Sequence, residues 1–269
     1  MSGFSAVWLA LRERYELAAR NPNVLDAVTA SLKALPSVHV VDLACGSGST
    51  MRALHTHFPA RQHWDLIDND PDLLTLARNG NPGEGITLNT VRLDLNRDLD
   101  AALDATVGLI TTSALLDLVS KTWLDRFLRK AGSLSLPIYA ALTYDGRTDL
   151  SPADPLDAAI VSAVNKHQRT DKGFGPALGP SAAASAIAGC ESLEYSVVGG
   201  ESDWVLGPDD RAMQNELLEG WASAARDMGT PSDAEIASWL ARRRAAVSEG
   251  LSSVRVGHVD FFAFPSSTR

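Results

Sequence analysis

Cysteine and long apolar runs are scarce in this chain of 269 residues. Its two cysteines, Cys45 and Cys190, stand far apart without metal-ligand spacing, so the sequence indicates neither a disulfide framework nor a zinc site. No apolar run approaches the ~18 residues of a membrane span, and no basic leader precedes an apolar core at the N-terminus. We therefore expect a protein of the reducing cytoplasm that binds no membrane.

An excess of positive charge is also missing. There are 24 Lys and Arg residues against 33 Asp and Glu residues, which gives a net charge of -9. Such a balance disfavours a broad phosphate-binding surface, so a small-molecule substrate is expected rather than nucleic acid. The one dense basic cluster, residues 242–244, lies in a predicted amphipathic helix and is interpreted as a solvated face. The sequence does not indicate an oligomeric state.

The stretch V-H-V-V-D-L-A-C-G-S-G-S-T, residues 38–50, joins a short apolar run to a glycine-containing turn. Its β-branched first half is typical of a strand buried on both faces of a sheet. Gly46 and Gly48 provide backbone without a Cβ, so a ligand can approach the main chain there. Apolar residues then recur at helical spacing over 49–58. A strand, a turn and a helix start in this order mark the place where open α/β sheets bind ligands.

Hydrophobic periodicity predicts alternating strands and helices along most of the chain. Strands are predicted at 38–43, 62–68, 86–93, 107–112, 134–143, 193–198 and 254–264, and helices at 4–35 (two), 49–58, from Pro71, and at 154–165, 181–189, 209–228 and 232–249. Strands separated by helices predict a parallel sheet with right-handed crossovers, a doubly wound α/β fold. We expect one domain over 1–269, with a helical cap (1–36), a cofactor-binding half (37–150) and a substrate-side half with lid helices (151–269).

Acidic residues stand at the ends of the first three predicted strands, namely Asp42, Asp68 and Asp94. An acidic residue about 20 positions beyond a glycine turn is suited to a ribose, because one carboxylate can accept hydrogen bonds from both hydroxyls. Asp68 has that position. A full dinucleotide fingerprint needs a third glycine where Met51 stands, which weakens the interpretation as a nicotinamide site.

Four segments carry a resemblance to a known family: D-L-A-C-G-S-G (42–48), L-I-D-N-D-P-D-L-L-T-L-A-R (66–78), L-D-L (93–95) and T-T-S-A-L-L-D-L (111–118). Together they resemble the sequential motifs of class I S-adenosylmethionine-dependent methyltransferases, over about residues 38–144. The resemblance implies S-adenosylmethionine as cofactor and S-adenosylhomocysteine as product. It also implies a Rossmann-like, mostly parallel sheet of seven strands, the last antiparallel, which V-G-H-V-D-F-F-A-F (256–264) fits.

The resemblance further implies roles for individual residues. The glycine turn would lie against the methionine and ribose parts of the cofactor, Asp68 would bind the ribose hydroxyls, and Asp94 would meet the adenine amine. Ala44 departs from the family pattern, which most often has its first glycine there. The expected cofactor-binding residues are Asp42, Ala44, Cys45, Gly46, Gly48, Asp68, Asn69, Asp94, Leu95 and Ser113, with Arg12, Tyr15 and Arg20 of the cap closing over the cofactor carboxylate. A purely structural role for Asp42, orienting the turn, is the alternative.

For the acceptor, the densest set of polar candidates is N-K-H-Q-R-T-D-K-G-F-G, residues 165–175. It follows the fifth predicted strand, on the side where substrates of the family bind. His167 titrates near neutrality and is the candidate general base, needed only if the acceptor must lose a proton; a surface role is its alternative. The expected substrate-binding residues are Asn165, Gln168, Arg169, Lys172 and Phe174, of which Arg169 and Lys172 would hold an anionic acceptor. No metal ligand is expected.

The sequence thus predicts a methyltransferase that acts on a small molecule. Two alternatives stay open: an NAD(P)-dependent oxidoreductase, and a non-catalytic S-adenosylmethionine-binding scaffold without an ordered acceptor pocket. Asp117 is interpreted as a helix cap at least as readily as a catalytic group. Trp204 is assigned to packing, and neither His63 nor His258 supports a functional assignment.

Overall fold

A mixed β-sheet forms the centre of the computed structural model, which describes residues 5–80 and 83–266. Within these residues the strands are β1 (Val38–Leu43), β2 (Gln62–Asp68), β3 (Ile86–Arg92), β4 (Leu109–Ser113), β5 (Ile138–Ser151), β6 (Tyr195–Glu201), β7 (Trp204–Leu206) and β8 (Ser253–Pro265). Their order is β3-β2-β1-β4-β5-β8-β6, and β7 pairs with β8. The first five strands pair in parallel, whereas β8 runs antiparallel between β5 and β6. The doubly wound, mostly parallel sheet is confirmed, with the short β7 as an addition.

Helices cover both faces of the sheet, because β1 presents alternate residues to two separate cores. Val38 and Val40 belong to one core, and Val41 and Leu43 belong to the other. The α-helices of the described residues are α1 (Ala6–Ala19), α2 (Pro22–Leu32), α3 (Ser49–Leu54), α4 (Pro71–Arg78), α5 (Leu95–Asp98), α6 (Lys121–Ser133), α7 (Asp157–His167), α8 (Ala182–Ser192), α9 (Arg211–Met228) and α10 (Asp233–Ser248). None of them is long and apolar enough to cross a membrane.

The predicted helical cap is formed by α1 and α2, and residues 1–4 of it lie outside the described residues, as do 267–269 at the other end. The side chain of Asn21 accepts from the N–H groups of Asn23 and Val24, which begins α2 where Pro22 supplies the first helical residue. Helix α1 lies over the glycine turn, since a Cβ on Gly46 would stand 3.3 Å from Leu9 Cδ1. The cap therefore covers the carboxyl end of β1.

Strand β5 begins later and runs further than the predicted 134–143. Its first predicted residue, Leu134, instead caps α6, and Ser135 follows in the left-handed region at φ 54°. Two register shifts against β8 interrupt the pairing, and Leu142 has φ 56° at the first of them. A bulge of this kind bends a strand and redirects its side chains. It places Leu142 and Tyr144 at the cavity described below.

The basic cluster 242–244 is not the solvated face that the sequence suggested. Arg243 is almost wholly buried and forms an ion pair with Asp157 at the start of α7. The indole Nε1 of Trp239 donates to the same carboxylate at 2.8 Å. Arg242 pairs with Asp154 at 2.6 Å, so only part of the cluster faces solvent. These contacts dock α10 on α7, which helical periodicity alone does not reveal.

Candidate active site

The glycine turn between β1 and α3 has left-handed backbone at three positions. The φ angle is 55° at Ala44, 54° at Gly46 and 84° at Gly48. An L-residue loses roughly 1–2 kcal/mol there, so Ala44 holds a position where glycine is the ordinary solution. Asp68 fixes the turn to the end of β2, because its Oδ2 accepts from Gly46 N at 2.9 Å while its Oδ1 accepts from Asp70 N at 3.0 Å. The carboxylate assigned to the ribose is thereby held against the turn.

Behind the turn, the Asp42 carboxylate is fully buried at the end of β1. Thr111 Oγ1 donates to its Oδ1 at 2.9 Å, whereas its Oδ2 is buried without a hydrogen-bond partner in the described part of the chain. Desolvation raises the pKa of Asp42 to about 7, against the hydrogen bond from Thr111 and the charge of Arg20. A buried, half-satisfied carboxylate of this kind is suited to a positively charged ligand group.

Arg20 of the cap reaches the end of β4. Its guanidinium donates to Ser113 Oγ at 3.2 Å and to Tyr139 OH at 3.3 Å. Ser113 Oγ also accepts from Thr50 Oγ1 at 3.0 Å, so three elements meet there. The buried Nε of Arg20 has no partner among the described residues and provides an unused donor beside Asp42. The structure thus brings the predicted Arg20 and Ser113 together with the glycine turn.

The other two predicted cap residues point elsewhere. Arg12 forms an ion pair with Glu16 one turn along α1, and its guanidinium carbon lies 5.6 Å from the centroid of the Trp204 ring. Tyr15 OH donates to Asp210 Oδ1 at 2.7 Å, immediately before α9. Arg12 therefore belongs to the acceptor side of the site, and Tyr15 ties the cap to the lid helix.

The remaining predicted cofactor residues follow the ends of β1, β2 and β3. Asn69 and Asp94 are exposed, and Asp94 caps α5 by accepting from Asn96 N at 2.9 Å. Leu95 is buried and its carbonyl accepts from Trp123 Nε1 at 2.7 Å. Burial raises the pKa of the Cys45 thiol well above its ordinary value, which makes Cys45 a packing residue of the turn and not a nucleophile.

A cavity of about 790 Å³ opens beside the ends of β4 and β5, between the cap and the lid helices. Its walls are largely apolar and aromatic, with acidic residues on the α9 side. The aromatic lining is Trp8, Tyr144, Trp204 and Trp221, and the charged or titratable lining is Arg12, Asp117, His167, Lys172, Glu216, Glu219, Asp227 and His258. Pockets of about 300–1,000 Å³ with a few convergent polar groups are the usual sites of small ligands.

Asp117 is a site residue that the sequence interpretation underrated. It is buried at the cavity, four residues beyond β4, and its Oδ1 is buried without a partner in the described residues. Desolvation raises its pKa to about 6, although backbone N–H groups and the charge of Arg12 favour the carboxylate. The helix-cap interpretation is wrong, because Ser120 caps α6. Its segment is clamped by the 177–179 loop, where Gly179 N donates to the Asp117 carbonyl at 2.9 Å.

His258 of β8 is a second group that sequence reasoning passed over. Its Nδ1 lies 3.1 Å from the carbonyl oxygen of Val256, which can only accept, so Nδ1 carries the ring proton. Burial lowers the pKa of His258 to about 4. The ring is therefore neutral near pH 7 and offers Nε2 as an acceptor. Trp204 lies against it with ring centroids 4.7 Å apart, and both residues line the cavity.

The predicted acceptor segment divides between two sides. His167, Gln168 and Lys172 line the cavity, whereas Asn165, Arg169 and Phe174 do not. Asn165 accepts from Tyr144 OH at 2.7 Å, and Phe174 packs edge-on against Trp123 at 5.6 Å between ring centroids. Arg169 approaches the Leu178 carbonyl at 3.4 Å. The reason is that α7 continues to His167, and the helical spacing turns residues 165 and 169 away from the side of Val164 and His167, which line the cavity.

Both ring nitrogens of His167 are engaged. Nδ1 lies 3.3 Å from Lys172 Nζ, which can only donate, and Nε2 lies 3.4 Å from Asp227 Oδ2. Burial and the Lys172 charge lower the pKa of His167. This arrangement leaves no lone pair of the neutral ring directed at the cavity, so Asp117 and His258 present the better-placed acceptors.

A sequence signal existed for Asp117, since it lies inside the motif T-T-S-A-L-L-D-L. No local signal existed for His258 or Trp204. They reach the cavity through the register of β7 and β8, where Trp204 pairs with Val256.

Comparisons with known proteins agree with the geometry. Residues 40–136 match the family model described as a methyltransferase domain. Among solved structures, the cyclopropane-fatty-acyl-phospholipid synthase-like protein of Lactobacillus casei ATCC 334 is 14% identical with a TM-score of 0.52, covering 97% of this chain and 95% of that one. A protein of Bacillus halodurans C-125, provisionally named a methyltransferase, is 15% identical with a TM-score of 0.51, covering 91% of this chain and 100% of that one. The search of curated proteins gives no significant match.

At these identities the solved structures are informative about the fold alone. The match to a methyltransferase domain supports methyl transfer as the activity, and not the hydride transfer of an NAD(P)-dependent oxidoreductase. The chain therefore has a Rossmann-like methyltransferase fold with the strand order β3-β2-β1-β4-β5-β8-β6, and its residues 40–136 match a methyltransferase domain, which supports S-adenosylmethionine-dependent methyl transfer.

Proposed function

We propose that S-adenosylmethionine lies over the carboxyl ends of β1, β2 and β4 and methylates a small molecule held in the cavity. The observation that carries this proposal is the half-satisfied, buried carboxylate of Asp42 beside a turn of left-handed backbone. The cofactor has two positive centres, an ammonium and a sulfonium, and such groups favour a desolvated carboxylate over neutral acceptors. When bound, the cofactor supplies an electrophilic methyl group.

Different residues of the chain bind different parts of the cofactor. The turn at Gly46 and Gly48 holds the methionine and ribose portion, and Asp68 holds the ribose hydroxyls. Asn69, Asp94 and Leu95 flank the adenine at the exposed edge beyond β2 and β3. Arg20, with its unused Nε donor, and Ser113 take the cofactor carboxylate under the cap. Methyl transfer is an in-line displacement, so these groups act by alignment and exclusion of water.

The acceptor is a small, largely apolar molecule that carries an amine or a hydroxyl group. The indole and phenol rings of the cavity provide the apolar contact, and its volume of about 790 Å³ suits a single small ligand. The net charge of -9 and the acidic α9 side of the cavity argue against a nucleic-acid acceptor. Residues 1–36 and 151–269 thus complete one catalytic unit with the cofactor-binding half at 37–150.

Asp117 is the proposed general base. Its pKa of about 6 makes it a carboxylate at neutral pH with a basicity close to the working pH, which favours proton transfer. Its Oδ1 is free to accept the proton of an acceptor N–H or O–H. His258 presents Nε2 as a second acceptor that orients the same group, and His167 forms the rim with Lys172 and Asp227.

The experimental test reduces the volume of the cavity by a substitution in helix α9. Gly220 of α9 lines the cavity, and a Cβ added there meets no atom within 4 Å. Gly220→Leu is therefore expected to fold, to bind S-adenosylhomocysteine as the wild type does, and to lose methylation of small amines and phenols in a panel assay with labelled S-adenosylmethionine. Ala212→Leu, at an exposed position of the same helix, is the matched control and keeps both properties. Unchanged methylation by Gly220→Leu would place the acceptor elsewhere.

A further inference from the structure

Strands β1 and β2 bring two histidines and an aspartate together at the end of the sheet away from the glycine turn. His39 pairs in register with His63, and Asp65 lies two residues along on the same face of β2. His39 Nε2 is 2.8 Å from Asp65 Oδ2, and His63 Nε2 is 3.4 Å from Asp65 Oδ1. One ligand atom of each residue lies within 4.8 Å of the other two. The cluster is remote from the catalytic groups and unexplained by them.

The proton of His39 is fixed by its neighbours. Thr106 Oγ1 lies 2.6 Å from Asp104 Oδ1, a carboxylate oxygen that accepts the hydroxyl proton. The same Oγ1 lies 3.2 Å from His39 Nδ1 and, having given its proton to Asp104, is left to accept there. Nδ1 therefore carries a ring proton of His39, and Nε2 is the nitrogen that faces Asp65.

His63 repeats the arrangement on the next strand. Thr87 Oγ1 donates to the Gln62 carbonyl at 3.3 Å, and the same oxygen lies 2.8 Å from His63 Nδ1. The threonine hydroxyl thus engages Nδ1 and leaves Nε2 as the nitrogen of His63 that faces Asp65. Two independent threonines therefore orient both imidazoles with Nε2 toward Asp65.

Two ring nitrogens and one carboxylate converge in this way, and a positive charge among them is favourable. A single divalent cation satisfies both nitrogens and the carboxylate at once. A histidine whose second nitrogen donates to a fixed acceptor is the usual form of a metal ligand.

We propose that His39, His63 and Asp65 bind one Zn²⁺ ion. Two imidazoles and a carboxylate are a donor set that zinc takes, and bonds of about 2.0–2.2 Å in tetrahedral geometry place ligand atoms about 3.3 Å apart. The contacts of Asp65 with His39 at 2.8 Å and with His63 at 3.4 Å lie near that value, and all three ligand atoms lie within 4.8 Å of one another. The His63 side chain is 46% exposed, so water has access to the fourth position. The ion would tie β1 to β2, the strands that carry the glycine turn and Asp68.

The test is direct metal binding. The tag-free chain, stripped with a chelator, is titrated with Zn²⁺ in competition with a chromophoric chelator, and Co²⁺ reports tetrahedral geometry by its visible absorption. One equivalent is expected to bind at micromolar or lower concentration. His63→Gln and Asp65→Asn are expected to weaken binding at least tenfold, and Thr87→Val, which replaces the hydroxyl by a methyl group, by about 10–100-fold. His57→Gln, at an exposed histidine of a 3₁₀ turn, is the matched control and binds as the wild type.

Circular dichroism of each variant separates loss of the ion from loss of the fold, and the exposed His63 makes a folded variant the expected result. Absence of saturable one-to-one binding by the folded wild type would overturn the proposal. Equal affinities of the wild type and the folded His63→Gln variant would overturn it as well. The outcome does not depend on S-adenosylmethionine or on an acceptor.

Discussion

Replacing Asp117 by asparagine is expected to remove activity and at the same time to relieve a stability cost that grows with pH. The carboxyl has a folded pKa of about 6 against an ordinary value of 3.8, because burial penalises its charged form. At 1.36 kcal/mol for each pH unit, the difference corresponds to about 3 kcal/mol above pH 7. The ionised Asp117 carboxylate at the cavity therefore lowers the free energy of unfolding.

The sign follows from linkage. A carboxyl whose pKa is raised by folding contributes stability that is fully present below pH 3.8 and is lost as pH rises through about 6. Asparagine does not titrate. The difference in the free energy of unfolding between the variant and the wild type therefore changes with pH only because Asp117 titrates. With these two pKa values, the variant gains about 1.4 kcal/mol relative to the wild type between pH 5 and pH 8. Asp42 titrates in both proteins and cancels.

Urea unfolding at pH 5, 6, 7 and 8 measures this difference, with thermal unfolding as a second probe. Methylation of an acceptor found in the panel assay measures the other half of the prediction: kcat falls by about 10²–10⁴-fold, as for loss of a general base. Affinity for S-adenosylhomocysteine stays within the error of the wild type. The reasoning would be refuted if the difference in unfolding free energy between the variant and the wild type did not change with pH, or if the variant had the wild-type kcat.

Four further substitutions test other parts of the account. Asp68→Ala removes the acceptor of the Gly46 and Asp70 N–H groups and is expected to weaken S-adenosylhomocysteine binding about 10–100-fold by calorimetry, whereas His167→Ala spares it; equal losses would contradict the division of roles. Asp157→Ala leaves the buried Arg243 without its ion-pair partner, and urea unfolding should show that the free energy of unfolding falls by about 3–5 kcal/mol. An unchanged free energy of unfolding would indicate that water hydrates the guanidinium. Gly48→Ala forces φ 84° on a residue with a Cβ and should cost about 1–2 kcal/mol by the same measurement.

The cofactor-binding half of the fold was predictable because its signals are local. Strand β2 begins and ends at the predicted residues, and β1 leads into the glycine turn as expected. Asp68 contacts that turn because adjacent parallel strands end at the same edge of a sheet, a relation that the order of motifs already implies.

The acceptor side was less predictable, since it depends on register and on where a helix ends. A helix predicted to end at Asn165 leaves 166–175 as a loop with no defined sides, whereas α7 runs two residues further to His167, and Asn165 and Arg169 face away from the cavity. His258 becomes a cavity residue only through bulged pairing between β5 and β8, which no local pattern encodes. The His39, His63 and Asp65 cluster likewise exists only through the register of β1 and β2.

Calorimetric titration of the purified chain with S-adenosylhomocysteine and, separately, with NAD tests the central claim most directly. The half-satisfied Asp42, the left-handed turn and the fixed Asp68 together predict one-to-one binding of S-adenosylhomocysteine at micromolar concentration and no binding of NAD. Asp68→Ala provides the internal check that the heat arises at this site. Micromolar binding of NAD with none of S-adenosylhomocysteine would contradict the account.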